Sequence, residues 1–204
     1  SEYWSARAYD GFDNYLKAGG AAVVMSGNTM FWRVSFDETG EVMECRKFGK
    51  SIGGRNLAKV GELYHSHDFK RGSLMRFCGY PAWKVTGLTC VGWSGLNFKP
   101  YRVDLPDHFL FNEPYKIDLK KGDVFGFVNN SIGAVGHEYD VRLSTLLRAT
   151  KNPALKGLVE PKGMLTIASS HDKRNILDFN ADAHKQRVGG EQTIAEIIYW
   201  ERPQ

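Results

Sequence analysis

A single mixed α/β domain is what the sequence predicts, and three observations predict it. The 204 residues, 42% of them hydrophobic and 25% charged, suffice for one sizeable core of ordinary composition. A helical pattern, a glycine pair, an apolar run and a polar turn follow one another at the start of the chain, which is the order of an α/β unit. Farther on, short β-branched and aromatic runs punctuated by glycine and proline read as extra hairpins joined by long loops.

From Ser1 to about Ala18 the apolar residues Trp4, Ala8, Phe12, Tyr15 and Leu16 recur at helical spacing, and Gly19-Gly20 stops the helix. Ala21-Ala22-Val23-Val24-Met25 reads as a short buried strand ending at the turn Ser26-Gly27-Asn28-Thr29, whose glycine and asparagine tolerate positive backbone angles. Phe31 to Phe36 and Glu41 to Arg46 flank Asp37-Glu38-Thr39-Gly40 as a hairpin. Residues Lys47 to Gly72 form a long irregular segment with a helical turn near Leu57 to Leu63. The runs at Trp83-Lys84-Val85, Leu88 to Trp93 and Tyr101-Arg102-Val103 read as strands, and Lys120-Lys121-Gly122-Asp123 is a tight turn leading into Val124 to Val128. Val141 to Ala149 suits either helix or strand, while Met164 to Ala168 and Thr193 to Trp200 are strands.

The net charge of +4 arises from 27 basic and 23 acidic residues that are scattered, so no nucleic-acid or membrane partner is expected. Cys45, Cys78 and Cys90 are too few and too far apart for a disulfide framework or a structural zinc site. The chain shows no leader and no apolar run of membrane length, which argues for a cytoplasmic protein; it begins at Ser1 rather than a methionine, which suggests a fragment or a processed chain.

Chemistry-bearing side chains concentrate in Gly133-Ala134-Val135-Gly136-His137-Glu138-Tyr139-Asp140-Val141-Arg142. In an extended run Glu138 and Asp140 share one face while His137 and Tyr139 take the other. The plainest reading is an acidic strand edge with an Asp140–Arg142 surface pair; the alternative is a carboxylate site for a metal or an activated water. His65-Ser66-His67-Asp68 places two imidazoles on one side, a metal pair if a third ligand existed and otherwise a solvated loop. Ser169-Ser170-His171-Asp172 reads as a turn or cap, because triad members converge from separated elements. His108, beside Asp107, is free to face another strand.

Several pieces in order resemble the C-terminal domain of the N,N-dimethylformamidase large (beta) subunit family: Glu2-Tyr3-Trp4-Ser5-Ala6-Arg7, Ser26-Gly27-Asn28-Thr29 with Phe31-Trp32-Arg33-Val34, Thr89 to Trp93, Pro100 to Val103, Asp107 to Phe111, Lys121 to Gly126, Val135 to Asp140 and Ala195 to Trp200. The resemblance implies a three-layer α/β domain similar to class I glutamine amidotransferase and ThuA-like folds, without their cysteine nucleophile. It implies a ferric iron held by two tyrosines and a glutamate, in an enzyme that hydrolyses a small amide to an amine and formate. Tyr3 and Glu138 stand in the matching motifs as metal ligands. The second tyrosine does not transfer: Phe31-Trp32 occupies the place, and Tyr64, Tyr101 and Tyr139 remain as substitutes. The family has strands before the first helix and after Trp200 that are absent here, and it implies a partner subunit or a homo-oligomer.

The resemblance thus predicts an iron-dependent hydrolase of small amides, with Asp140 or His137 taking the proton of the attacking water. The rivals are a non-catalytic carbohydrate- or protein-binding module, with Trp83, Trp93 and Tyr101 as an aromatic platform, and a structural domain of a larger hydrolase.

Overall fold

The computed structural model describes residues 1–47, 60–93, 98–129, 132–136, 138–149, 155–173 and 191–202. The amphipathic N-terminal pattern divides into a short strand β1 (Tyr3–Ser5) and the helix α1 (Ala6–Lys17). The boundary is set by Ser5, whose hydroxyl accepts the Ala8 N–H and satisfies one of the unpaired donors of the first turn. β1 runs parallel to β2 (Trp32–Phe36), which turns back antiparallel into β3 (Met43–Cys45), the hairpin expected from the sequence.

Between these strands the expectation of a buried strand at 21–25 fails. Residues 21–26 have no strand partner, and Val23 and Met25 are 86% and 93% exposed. The run is apolar enough for a strand, but among the described residues no neighbouring edge pairs with it, and composition alone cannot supply one.

β4 (Thr89–Trp93) is followed by β5 (Tyr101–Val103), β6 (Val124–Phe125), β7 (Phe127–Val128), β8 (Ile132–Gly133) and β9 (Glu138–Val141). The helix α2 (Leu143–Ala149) then precedes β10 (Met164–Asp172) and β11 (Gln192–Trp200). These strands form an antiparallel sheet in the order β11-β10-β5-β6 and two antiparallel pairs, β4-β9 and β7-β8. Among the described residues the molecule is therefore a mixed α/β domain of several small sheets with two α-helices, and β1–β2 is its parallel pairing. The turn at Lys120 to Asp123 closes as expected, with the Asp123 N–H donating to the Lys120 carbonyl at 3.0 Å and Gly122 at φ +92°.

Other expectations change. Ala82–Lys84 is a 3-10 turn rather than a strand, and Trp83 is buried in the main core with Val91, Val141, Leu143, Leu146 and Leu155. Ser169 to Asp172 continues β10 instead of turning, because Ala168 and Ser169 pair with both β11 and β5 and Ser170 to Asp172 stay paired with β11. The apolar face of β9 ties these layers together: Tyr139, fully buried, packs with Val135, Ile194 and Ala195, and Val141 enters the Trp83 core. With both odd-numbered side chains committed inward, Glu138 and Asp140 have to project from the opposite face.

Candidate functional site

The site is built where β9 meets the Ser26–Thr29 turn. The turn folds on itself through a Ser26 Oγ–Thr29 Oγ1 contact at 2.9 Å and the Thr29 hydroxyl donating to the Ser26 carbonyl at 3.0 Å. Asn28 adopts φ +55°, a left-handed conformation that asparagine takes more readily than most residues. That conformation aims its donors at β9. Its backbone N–H donates to Asp140 Oδ2 at 2.9 Å, and its side-chain Nδ2 donates to Glu138 Oε1 at 2.9 Å. Gly27 leaves room beside it, since a Cβ there would lie 3.2 Å from Asp140 Oδ2, tighter than an ordinary contact.

Both carboxylates therefore share one face, as the strand period predicts, and a single residue 110 and 112 positions away in sequence fixes one oxygen of each. Burial pushes the Asp140 carboxyl up to about 7; the Asn28 amide pulls it down, the neighbouring Glu138 charge pushes it up and Arg76 pulls it down. Arg76 itself donates to the Cys90 carbonyl at 3.0 Å, opposite Asp140 in the β4–β9 register. The Asn28 Oδ1 atom is buried without a hydrogen-bond partner among the described residues.

The Asp140–Arg142 surface pair does not form. Arg142 turns to Glu160, with Nη2–Oε2 at 2.6 Å, and its backbone N–H donates to the buried Glu196 at 2.7 Å. Tyr3 sits on β1, where its hydroxyl accepts from Lys47 Nζ at 2.6 Å, and Lys47 also lies 4.8 Å from the Tyr3 ring centre. No hydrogen bond joins Tyr3 to Glu138 among the described residues. His137 lies outside the described residues, as does the Trp93 side chain. Of the substitute tyrosines, Tyr139 is committed to the core, Tyr101 stacks on Phe125 at 5.8 Å and Tyr64 is exposed on a loop. With Trp83 in the core as well, the proposed aromatic platform loses one of its three members.

The two other histidine clusters are structural. His65 is buried rather than solvated: its Nδ1 meets Ser35 Oγ at 2.6 Å and Arg33 Nη1 at 3.4 Å, while its Nε2 is buried against Gly72 with no hydrogen-bond partner among the described residues. His108 does face another strand, with its ring 4.8 Å from that of Tyr199 on β11.

For a metal, the donor set matters. Glu138 and Asp140 have no third His, Cys, Asp or Glu within reach among the described residues. Their free carboxylate oxygens and the orphaned Asn28 Oδ1 are nevertheless all hard oxygen donors, the type a small, highly charged cation selects. Glu138 thus fits as a ligand, whereas Tyr3 has first to exchange its Lys47 hydrogen bond.

Asn28 is the residue holding both carboxylates that sequence reading treated only as a turn former. Its signal was present in the adjacency of Gly27 and Asn28 between an apolar run and a strand, but its target on β9 is set by tertiary structure.

The architecture and the site together define a mixed α/β domain that presents a paired-carboxylate face through a left-handed turn. The chain belongs to the family described as N,N-dimethylformamidase beta subunit-like, C-terminal, whose pattern matches residues 1–203. No curated protein matches it. The family name is that of a hydrolase subunit. No helix among the described residues is long and apolar enough to cross a membrane.

Proposed function

We propose that this domain carries the hydrolytic site of an enzyme that cleaves the C–N bond of a small linear amide. The observation that supports this most is Asp140, held on one oxygen by Asn28 and raised to about 7 beside Glu138. A carboxyl group with that affinity exchanges protons with water and with an amine near neutral pH. Asn28 occupies Oδ2, so Oδ1 is the oxygen that takes the proton of the attacking water. As the water oxygen bonds to the amide carbon and the C–N bond breaks, the same proton passes to the departing nitrogen, giving an amine and a carboxylic acid. His137, next to Glu138, is the second proposed proton carrier.

Glu138 and Tyr3 are the proposed ligands of a ferric iron. When bound, the metal supplies Lewis-acid polarisation of the amide oxygen and acidifies water. Asn28 orients Glu138 toward it by holding Oε1, which leaves Oε2 without a hydrogen bond among the described residues. We read the domain as a three-layer amidotransferase-like (ThuA-like) fold that works in an assembly with a partner subunit or as a homo-oligomer. The three free thiols Cys45, Cys78 and Cys90 fit a cytoplasmic setting.

The experiment is a formate-release assay on N,N-dimethylformamide with the iron-loaded protein and its partner subunit, wild type against Asp140→Asn. Activity lost in the variant supports the reading; an iron-replete wild-type assembly that releases no formate overturns it. A visible ferric-phenolate band that disappears in Tyr3→Phe identifies the phenol separately.

A further inference from the structure

A cleft of about 500 Å³ opens between α1, residues 79–85, residues 159–161 and the segment beyond β11. Asn28, Glu138 and Asp140 do not line it. One wall follows from helical spacing: Tyr9, Asp13 and Lys17 are four residues apart and share a face of α1. Tyr9 anchors that wall, with its hydroxyl donating to the Pro81 carbonyl at 2.9 Å and its ring edge-on to Tyr80 at 5.3 Å. The charges in the cleft do not cancel. Glu160 is committed to Arg142, which grips both of its oxygens at 3.3 and 2.6 Å, and to the Ser144 N–H at 2.9 Å. Asp13 serves Lys17 at 2.6 Å and Arg202 at 2.7 Å together, while Asp10 and Lys84 complete the charged lining. With Glu160 neutralised by Arg142, the cations Lys17, Lys84 and Arg202 face the carboxylates Asp10 and Asp13, so one positive charge is left over.

A second observation lies within Arg202. Its Nη2 donates to Asp13 and its guanidinium rests 5.2 Å from the Trp200 ring centre, yet Nη1 is buried without a hydrogen-bond partner among the described residues. A buried donor left unpaired is costly, more so on a charged group, and an acceptor entering the cleft removes that cost. We propose that the cleft is a binding site for a small organic monoanion, a monocarboxylate with an apolar body. Its carboxylate meets Arg202 Nη1, the planar guanidinium being suited to such an acceptor, and Lys84 adds charge from the exposed rim. Its body lies against Tyr80, Val85, Val159 and Pro161. The volume is that of a small-molecule site and exceeds what an inorganic ion or formate fills, and the single excess charge favours a monoanion over a dianion. This site shares no residue with the amide chemistry, so each reading can fail without the other.

The test is a calorimetric titration of the whole protein with benzoate, and with benzamide as its neutral counterpart, in wild type, Arg202→Lys, Lys84→Ala and Asp140→Asn. Arg202→Lys keeps a cation for Asp13 and removes the second guanidinium nitrogen. Saturable benzoate binding with a Kd of about 1 mM or tighter is expected. It should weaken at least about tenfold in Arg202→Lys and about threefold in Lys84→Ala, stay unchanged in Asp140→Asn, and have no counterpart for benzamide. If Arg202→Lys does not fold, the Lys84→Ala and Asp140→Asn titrations decide. Benzoate that does not saturate by about 10 mM, benzamide that binds as tightly, or an affinity untouched by the cleft variants overturns the proposal. Binding lost in Asp140→Asn overturns it in favour of the β9 carboxylate face.

Discussion

Arg33 and Asp140 are both ionisable side chains that a short strand carries out of water, and the structure treats them in opposite ways. Arg33, 2% exposed, is matched on every side: its guanidinium pairs with Asp68, donates to the Arg71 carbonyl at 3.2 Å and faces His65 Nδ1 at 3.4 Å. Burial alone would raise Asp68, yet hydrogen bonds from Arg33 and from the Lys70 N–H hold its carboxyl below the ordinary range. Burial, then the Arg33 charge, keeps His65 neutral by lowering its affinity for a proton. Asp140 receives one backbone hydrogen bond, sits beside the like-charged Glu138 and rises to about 7. A balanced buried charge organises a loop, whereas an unbalanced one remains poised for proton transfer.

The comparison can be broken most decisively at Asp140. Asp140→Asn keeps an acceptor for the Asn28 amide and removes the titrating group, so a loss of about 10²- to 10⁴-fold in kcat is expected in a steady-state amide assay. Its stability should move the other way. Because the folded carboxyl is raised, the native state binds a proton that the unfolded chain releases between the ordinary carboxylate range and about 7, and wild-type stability falls as pH rises through that window. In the variant that slope should be reduced, seen as a smaller Tm difference between pH 5 and pH 8.

Asp68→Asn should do the reverse. It leaves the Arg33 guanidinium buried without its counter-ion, costing about 3 kcal/mol in denaturant unfolding while the pH profile of activity stays in place. Asn28→Gly retains a residue at ease at φ +55° and the amide to Asp140 but drops the hydrogen bond to Glu138; a cost of about 1 kcal/mol is expected, with Asn28→Ala worse because alanine resists that backbone conformation. Gly27→Ala is the mildest change. A Cβ 3.2 Å from Asp140 Oδ2 lengthens the hydrogen bond from Asn28, so the activity midpoint should rise by a few tenths of a pH unit and stability fall by less than about 1 kcal/mol.

Where the sequence was legible, local rules governed the outcome. The period of two along β9 placed Glu138 and Asp140 on one face and Tyr139 on the other, and the β2–β3 hairpin, the turn at Gly122 and the final strand all followed from residue type and spacing. It was illegible where a partner had to be known. Nothing local sends Asn28 to β9 or Arg142 to Glu160, and nothing in His65-Ser66-His67 announces that Arg33 and Ser35 will bury the first imidazole. The run Ala21–Met25 failed for the same reason, since a strand exists only when another edge meets it.

Arg202, just beyond β11, reaches back to α1 and meets Asp13 Oδ1 at 2.7 Å across 189 positions, with its guanidinium 5.2 Å from the Trp200 ring centre. Mechanically this is a buckle: among the described residues the ion pair ties the first helix to the end of the last strand, which the β10–β11 ladder in turn anchors in its sheet. Force drawn through the chain would therefore open the clasp before shearing a nine-residue strand, and a permuted chain joined across it would carry that load through a covalent bond instead.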